Sequence, residues 1–164
     1  MHIAARLQRI KPSATLAVSA KAMDLRAQGR EVISLSAGEP DFATPEHIRE
    51  AGKTAIDQGF TRYTQTPGIP ELRQAVAKYY SRFYGVEAPM DATIISNGGK
   101  QTLYNLLQAL AEPGDEVLIP VPYWVSYPPM VELADAVPVF LPTTAEHDFK
   151  LTLDVCEQAI GPRT

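Results

Sequence analysis

The 164-residue chain has a single cysteine, no long apolar run and no excess of positive charge, and each lack removes a class of protein. Cys156 has no second cysteine to pair with, so an internal disulfide is excluded and a reducing compartment fits; a small buried filler is its expected role. No window approaches the roughly 18 uninterrupted apolar residues of a membrane span. A net charge of −4 offers no basic surface to a phosphate backbone or an anionic bilayer, so neither nucleic acid nor membrane is expected as a partner. His2, His47 and His147 are scattered, far from the cysteine, and show no metal-ligand spacing. A local Ser-His-Asp signature is missing as well, and there is no internal repeat.

What remains is the composition of an ordinary globular chain, 45% hydrophobic and 21% charged, of a length that suits one domain. The first 23 residues hold no acid and carry Arg6, Arg9, Lys11 and Lys21, a bias shared by organelle presequences. They lack an apolar h-region, and Pro12-Ser13-Ala14-Thr15 runs straight into a helical pattern. The segment therefore reads as mature domain, with a cytoplasmic location expected.

Ser13 is placed to cap a helix with apolar residues Leu16, Ala20, Met23 and Ala27, and Gly29 is placed to stop it. Val32 to Leu35 reads as a short strand entering the loop Ala37-Gly38-Glu39-Pro40-Asp41. Thr44-Pro45 reads as a cap and first-turn proline opening a second helix that Gly59 closes, and Pro70 opens a third that ends at Gly85. From there the chain alternates: strand Thr93–Ser96, helix Lys100–Ala111, strand Glu116–Pro120, helix Tyr127–Asp135, strand Val137–Leu141, helix Leu153–Ile160. Alternation of this kind predicts an α/β fold with a mostly parallel sheet flanked by helices. The sheet looks unfinished at Thr164, and the one expected internal boundary lies near residues 38 to 46.

Ser96-Asn97-Gly98-Gly99-Lys100-Gln101 falls between a predicted strand and a predicted helix. Glycines there let backbone N–H groups approach an anion, and the helix N-terminus adds partial positive charge. Such a pair is also, and more often, simply a tight turn. A P-loop would need glycine at Ile94 and Ser or Thr at Gln101, and no dinucleotide glycine triplet occurs, so the anion is not expected to be ATP or NAD. Trp124, the sole tryptophan, follows the predicted strand 116–120 at the edge where open α/β sheets bind ligands; it can stack on a planar ligand there or pack in the core. Tyr63 offers a hydroxyl to a phosphate or decorates a loop, and Gly38 brings backbone close to a carboxylate or makes a plain turn.

Taken in order, Pro12-Ser13-Ala14-Thr15, Leu35 through Phe42, Tyr63 with Gly68-Ile69-Pro70-Glu71-Leu72-Arg73, Gly98-Gly99-Lys100-Gln101 and Pro122 through Pro128 resemble the fold-type I aminotransferases, in particular the bacterial aspartate aminotransferase subgroup. The resemblance spans almost the whole chain, with Pro129 after Pro128 as a departure. It implies a large domain begun by residues 46–164 and an N-terminal helical segment, residues 1–45, belonging to a small domain. It implies pyridoxal 5'-phosphate as cofactor, with Gly98, Gly99 and Lys100 at its phosphate and Trp124 on its ring. Tyr63 would reach the partner's cofactor phosphate across a homodimer. Gly38 would hold the substrate α-carboxylate, while Ser13, Thr15, Lys100 and Trp124 would complete a substrate site for aspartate or glutamate, with a 2-oxo acid or prephenate as amino acceptor. The Schiff-base lysine of the family lies beyond Thr164, so no catalytic residue is assigned here and the isolated chain is expected to be inactive. A non-catalytic remnant that binds an anion or a partner is the alternative.

Overall fold

In the computed structural model residues 2–36 and 38–164 are described. They form two compact units, one of residues 2–36 with 98–164 and one of residues 38–97.

In the first unit, helix α1 (Ala14–Ala27) begins where the Ser13 hydroxyl accepts the Leu16 N–H at 3.4 Å. It ends in a left-handed Gly29, with Arg30 N–H bonded to Leu25 O, a glycine C-terminal motif that only a residue free of Cβ strain forms cheaply. A short 3-10 helix, Ala5–Arg9, precedes α1, and Arg9 is ion-paired with Asp135.

The unit's centre is a strand–helix–strand crossover. Strand β1 (Glu116–Val121) runs parallel to β2 (Val137–Pro142), in register Glu116↔Val137 through Val121↔Pro142. Between them lies a helix, Tyr127–Leu133. Counting in chain order, that helix is α5; α4 (Gly98–Leu110) precedes β1, and α6 (Leu153–Ala159) follows β2. Ile119, Val131 and Ala136 form the buried centre, packed against Leu107, Ala111 and Val117. Val131, 1% exposed, contributes on the order of 1.5–3 kcal/mol by its burial.

The two edges of this sheet differ. Val137 N–H bonds to Asp115 O and Thr143 N–H to Val121 O, so the odd residues of β2 face β1 and Pro138, Phe140 and Pro142 face outward. Two of those three have no N–H to offer, which blunts that edge against further pairing. On the far side of β1, Glu116 N–H already bonds to Arg163 O at 2.7 Å.

The second unit holds α2 (Glu46–Asp57) and α3 (Pro70–Tyr84). Pro70 occupies the first turn of α3, and a left-handed Gly85 closes it. Arg73 is its buried charge: its guanidinium donates to Thr93 O at 2.9 Å and Met90 O at 2.5 Å, tying the helix to the segment that runs toward Gly98. Gly68, at φ +103°, sits against Ile95, whose N–H bonds to Pro67 O; a Cβ there would fall 2.6 Å from the Ile95 side chain.

Four local expectations are corrected. Val32–Leu35 and Thr93–Ser96 are not strands: Val32 O is taken by the Arg26 guanidinium, Thr93 O by Arg73, and no neighbouring strand pairs with either run among the described residues. The second helix is capped by Pro45, at φ −51° and ψ 141°, and not by the Thr44 side chain. Cys156 is half-buried and not fully enclosed.

The exposed surface is 13578 Å². A compact domain of 17.9 kDa exposes about 8,000 Å², and two separate compact bodies of these sizes about 9,600 Å². Leu35, Phe42, Phe60 and Leu153 are among the large apolar side chains left in solvent. Among the described residues, no helix is long and apolar enough to cross a membrane, and no group of three His, Cys, Asp or Glu is placed to hold a metal.

Candidate cofactor and substrate site

Three sequence signals meet in the first unit. Gly98 opens α4 with φ +77°, a left-handed conformation that costs a side-chain-bearing residue about 1–2 kcal/mol. A Cβ built on Gly98 or Gly99 would meet nothing within 4 Å, so the space before this helix end is open. The first-turn N–H groups of a helix have no intrahelical acceptor, and with the helix dipole they favour an anion there. One residue on, the Lys100 ammonium lies over the Trp124 indole, 4.6 Å from the ring centroid. Helix α4 starts and strand β1 ends on a common rim of the unit, since Trp124 follows β1 and the cis Val121–Pro122 peptide by only a few residues.

Trp124 is 43% exposed, at the sheet edge and not in the core. Tyr127 meets it edge-on, with centroids 5.6 Å apart at 85°, and the Tyr127 N–H donates to Trp124 O at 3.0 Å. Beside them opens a cavity of about 850 Å³ with Ser13, Lys11, Lys100, Tyr104, Tyr123 and Ser126 on its wall. Trp124 is not on that wall; Lys100 connects the indole to the cavity. Thr15, in the first turn of α1, is half-buried beside Ser13 without lining it.

Gly38 and Tyr63 belong to the second unit. Gly38 is exposed, with open space where a Cβ would be, and Tyr63 is fully exposed.

Sequence reasoning missed the basic and aromatic lining. In the sequence Arg9 and Lys11 stand out only as part of a basic bias, yet both line the cavity. Their nearness to the Pro12–Thr15 motif was the available signal. Tyr123, stacked on Phe140 with centroids 5.1 Å apart, was available only as the neighbour of Trp124.

An open, glycine-lined helix N-terminus beside a solvent-accessible indole is a donor set that fits a phosphorylated planar ring. Residues 30–164 match the profile of the aminotransferase class I and II family, and the chain belongs to that family. Members of this family generally depend on pyridoxal phosphate. The chain is 50% identical over 164 residues to an aspartate/prephenate aminotransferase of Nitrosomonas europaea, covering all of this chain and 41% of that protein. It is 52% identical over 158 residues to the one from Cereibacter sphaeroides, covering 96% of this chain and 40% of that protein. The solved aspartate aminotransferase from Thermus thermophilus with maleate superposes with a TM-score of 0.96 at 49% identity, over all of this chain and 43% of that one. The chain thus spans about two fifths of the length of these relatives.

Proposed function

We propose that the full protein containing these residues is a pyridoxal-phosphate-dependent aminotransferase of the aspartate type. It moves an amino group between an acidic L-amino acid, aspartate or glutamate, and a 2-oxo acid, with prephenate as a further acceptor. The observation that carries this reading is the Lys100 ammonium, which joins the helix end at Gly98, the Trp124 ring and the cavity at Ser13.

When bound, pyridoxal phosphate supplies the electron sink that lets an amino acid lose its Cα proton. The residues here do the binding and orienting. The N–H groups at Gly98, Gly99 and Lys100 take the phosphate, and the Trp124 indole stacks on the ring and fixes its orientation. Lys100 offers its charge and Ser13 its hydroxyl to the substrate's side-chain carboxylate, with Thr15, beside Ser13 and off the cavity wall, as a further hydroxyl donor in this reading. Ser13 already accepts one bond as a helix cap, and its O–H remains available to donate. Gly38 binds the α-carboxylate through its backbone, and Tyr63 donates to the cofactor phosphate of the second subunit in a homodimer. In this reading residues 1–45 belong to a small domain and residues 46–164 to a cofactor-binding large domain, in a cytoplasmic enzyme.

The test is amino transfer by the purified full protein from aspartate to 2-oxoglutarate. Turnover is expected, and Lys100→Met is expected to raise KM for aspartate about tenfold or more, the worth of a hydrogen bond to a charged group, while sparing an uncharged donor. A full protein loaded with cofactor that transfers nothing from an acidic donor contradicts the reading and favours a non-catalytic binding role.

A further inference from the structure

Helices α1, α2 and α3 are closed by left-handed glycines, Gly29, Gly59 and Gly85, but α5 is closed in the same way by Asp135, at φ +59°. That exchange carries two costs. Glycine enters the left-handed region without strain, whereas a residue with a Cβ does not, aspartate and asparagine being the best tolerated. An acid at a helix C-terminus also has the wrong sign for the helix dipole. What aspartate has and glycine lacks is a carboxylate, and this one is ion-paired with Arg9. Arg9 ends the 3-10 helix Ala5–Arg9, which packs against α5, and further on Ser13 caps α1. Residues 10–13, between these two anchors, belong to no helix or strand, yet the cavity is lined by this run as well as by α5. A strap with no ladder of its own keeps its shape only as well as its ends are held. Asp135 holds one end without itself lining that cavity.

We infer that Asp135 is a positioning residue: by pairing with Arg9 at the C-terminal end of α5 it holds the strap of residues 10–13 against that helix and so keeps Lys11 and Ser13 on the cavity wall. Its consequence for ligand binding rests on the reading of the cavity as the site of the substrate's side-chain carboxylate.

The experiment compares the full cofactor-loaded protein with its Asp135→Gly, Asp135→Asn and Lys100→Met variants. Calorimetry gives the affinity for succinate, hydrogen exchange follows the Leu7 and Ile10 amides, which donate to Ala4 O and Leu7 O, and a thermal melt reports stability. Asp135→Gly is expected to weaken succinate binding about two- to fivefold, the worth of an exposed ion pair, and to speed exchange at both amides. Its melting temperature is expected at or above that of wild type, because the backbone strain and the dipole cost are both relieved. Charge alone predicts the reverse for the ligand, since removing an acid near the site of a dianion tightens its binding. Asp135→Asn, which tolerates the left-handed backbone and still offers Arg9 an acceptor, falls between wild type and Asp135→Gly in affinity. Succinate bound as tightly as by wild type or more so in Asp135→Gly, exchange that does not quicken, or a melting temperature that falls along with the affinity overturns the positioning role alone. Wild-type affinity for succinate in Lys100→Met overturns the underlying reading of the cavity, and this inference with it.

Discussion

Valine in place of Gly98 is expected to weaken pyridoxal phosphate binding by the full protein about a hundredfold or more, with helix content unchanged. Two physical terms combine. The φ of +77° at Gly98 costs a Cβ-bearing residue about 1–2 kcal/mol and is a genuine outlier for a β-branched one, so a valine relaxes out of it and carries the N–H groups away from the anion. The side chain would also project into the open space before α4, where no protein atom lies within 4 Å of its Cβ and where the phosphate is proposed to sit. Each charge-assisted bond lost to the anion costs about 1.5–3 kcal/mol. Equilibrium dialysis measures the dissociation constant, and circular dichroism reports the helices. Binding within threefold of wild type would place the phosphate elsewhere.

The 164 residues by themselves, mixed with pyridoxal phosphate, aspartate and a 2-oxo acid, are expected to transfer no amino group. Borohydride is expected to leave no stoichiometric adduct on Lys100. The reason lies in where Lys100 is committed. It stands in the first turn of the helix whose end is proposed to take the phosphate, its ammonium rests on the indole, and the residue lines the cavity. In the proposed reading Lys100 serves a substrate carboxylate, whereas a cofactor-bearing lysine must reach the ring's aldehyde carbon as a nucleophile. Peptide mass spectrometry after reduction, alongside an assay for oxaloacetate, decides the matter. Turnover together with a stable adduct on Lys100 would assign it the opposite role.

The parts of the fold legible in the sequence are those decided within a few residues. Ser13 as a cap, Pro70 in a first turn, and Gly29, Gly59 and Gly85 as left-handed stops follow from what one side chain, or its lack, does to its own backbone. The crossover from β1 through α5 to β2 was legible because apolar runs of strand length alternate with a helical one. Val32–Leu35 and Thr93–Ser96 carry the same β-prone residues, but a strand is a property of a pair, and Arg26 and Arg73 take carbonyls of these runs. Nothing in the local pattern announces an arginine arriving from 6 residues away, as Arg26 does, or from 20, as Arg73 does. At the site, Gly98 and Trp124 were each readable as belonging to the ligand-binding edge of an α/β sheet. The cation–π contact that links that edge to the cavity, and the approach of Arg9 and Lys11, are tertiary and have no sequence signature.

That the helix end at Gly98 and the indole of Trp124 serve one phosphorylated ring is tested most directly by the tryptophan emission of the full apoprotein, titrated with pyridoxal phosphate. The Trp124→Phe protein serves as the blank, and Gly98→Val is the second arm. Quenching that requires Trp124, that inorganic phosphate competes away, and whose midpoint moves about a hundredfold in Gly98→Val is the expected result. Quenching whose midpoint ignores Gly98, or tight cofactor binding that never touches the emission of Trp124, would show that the two groups bind different things.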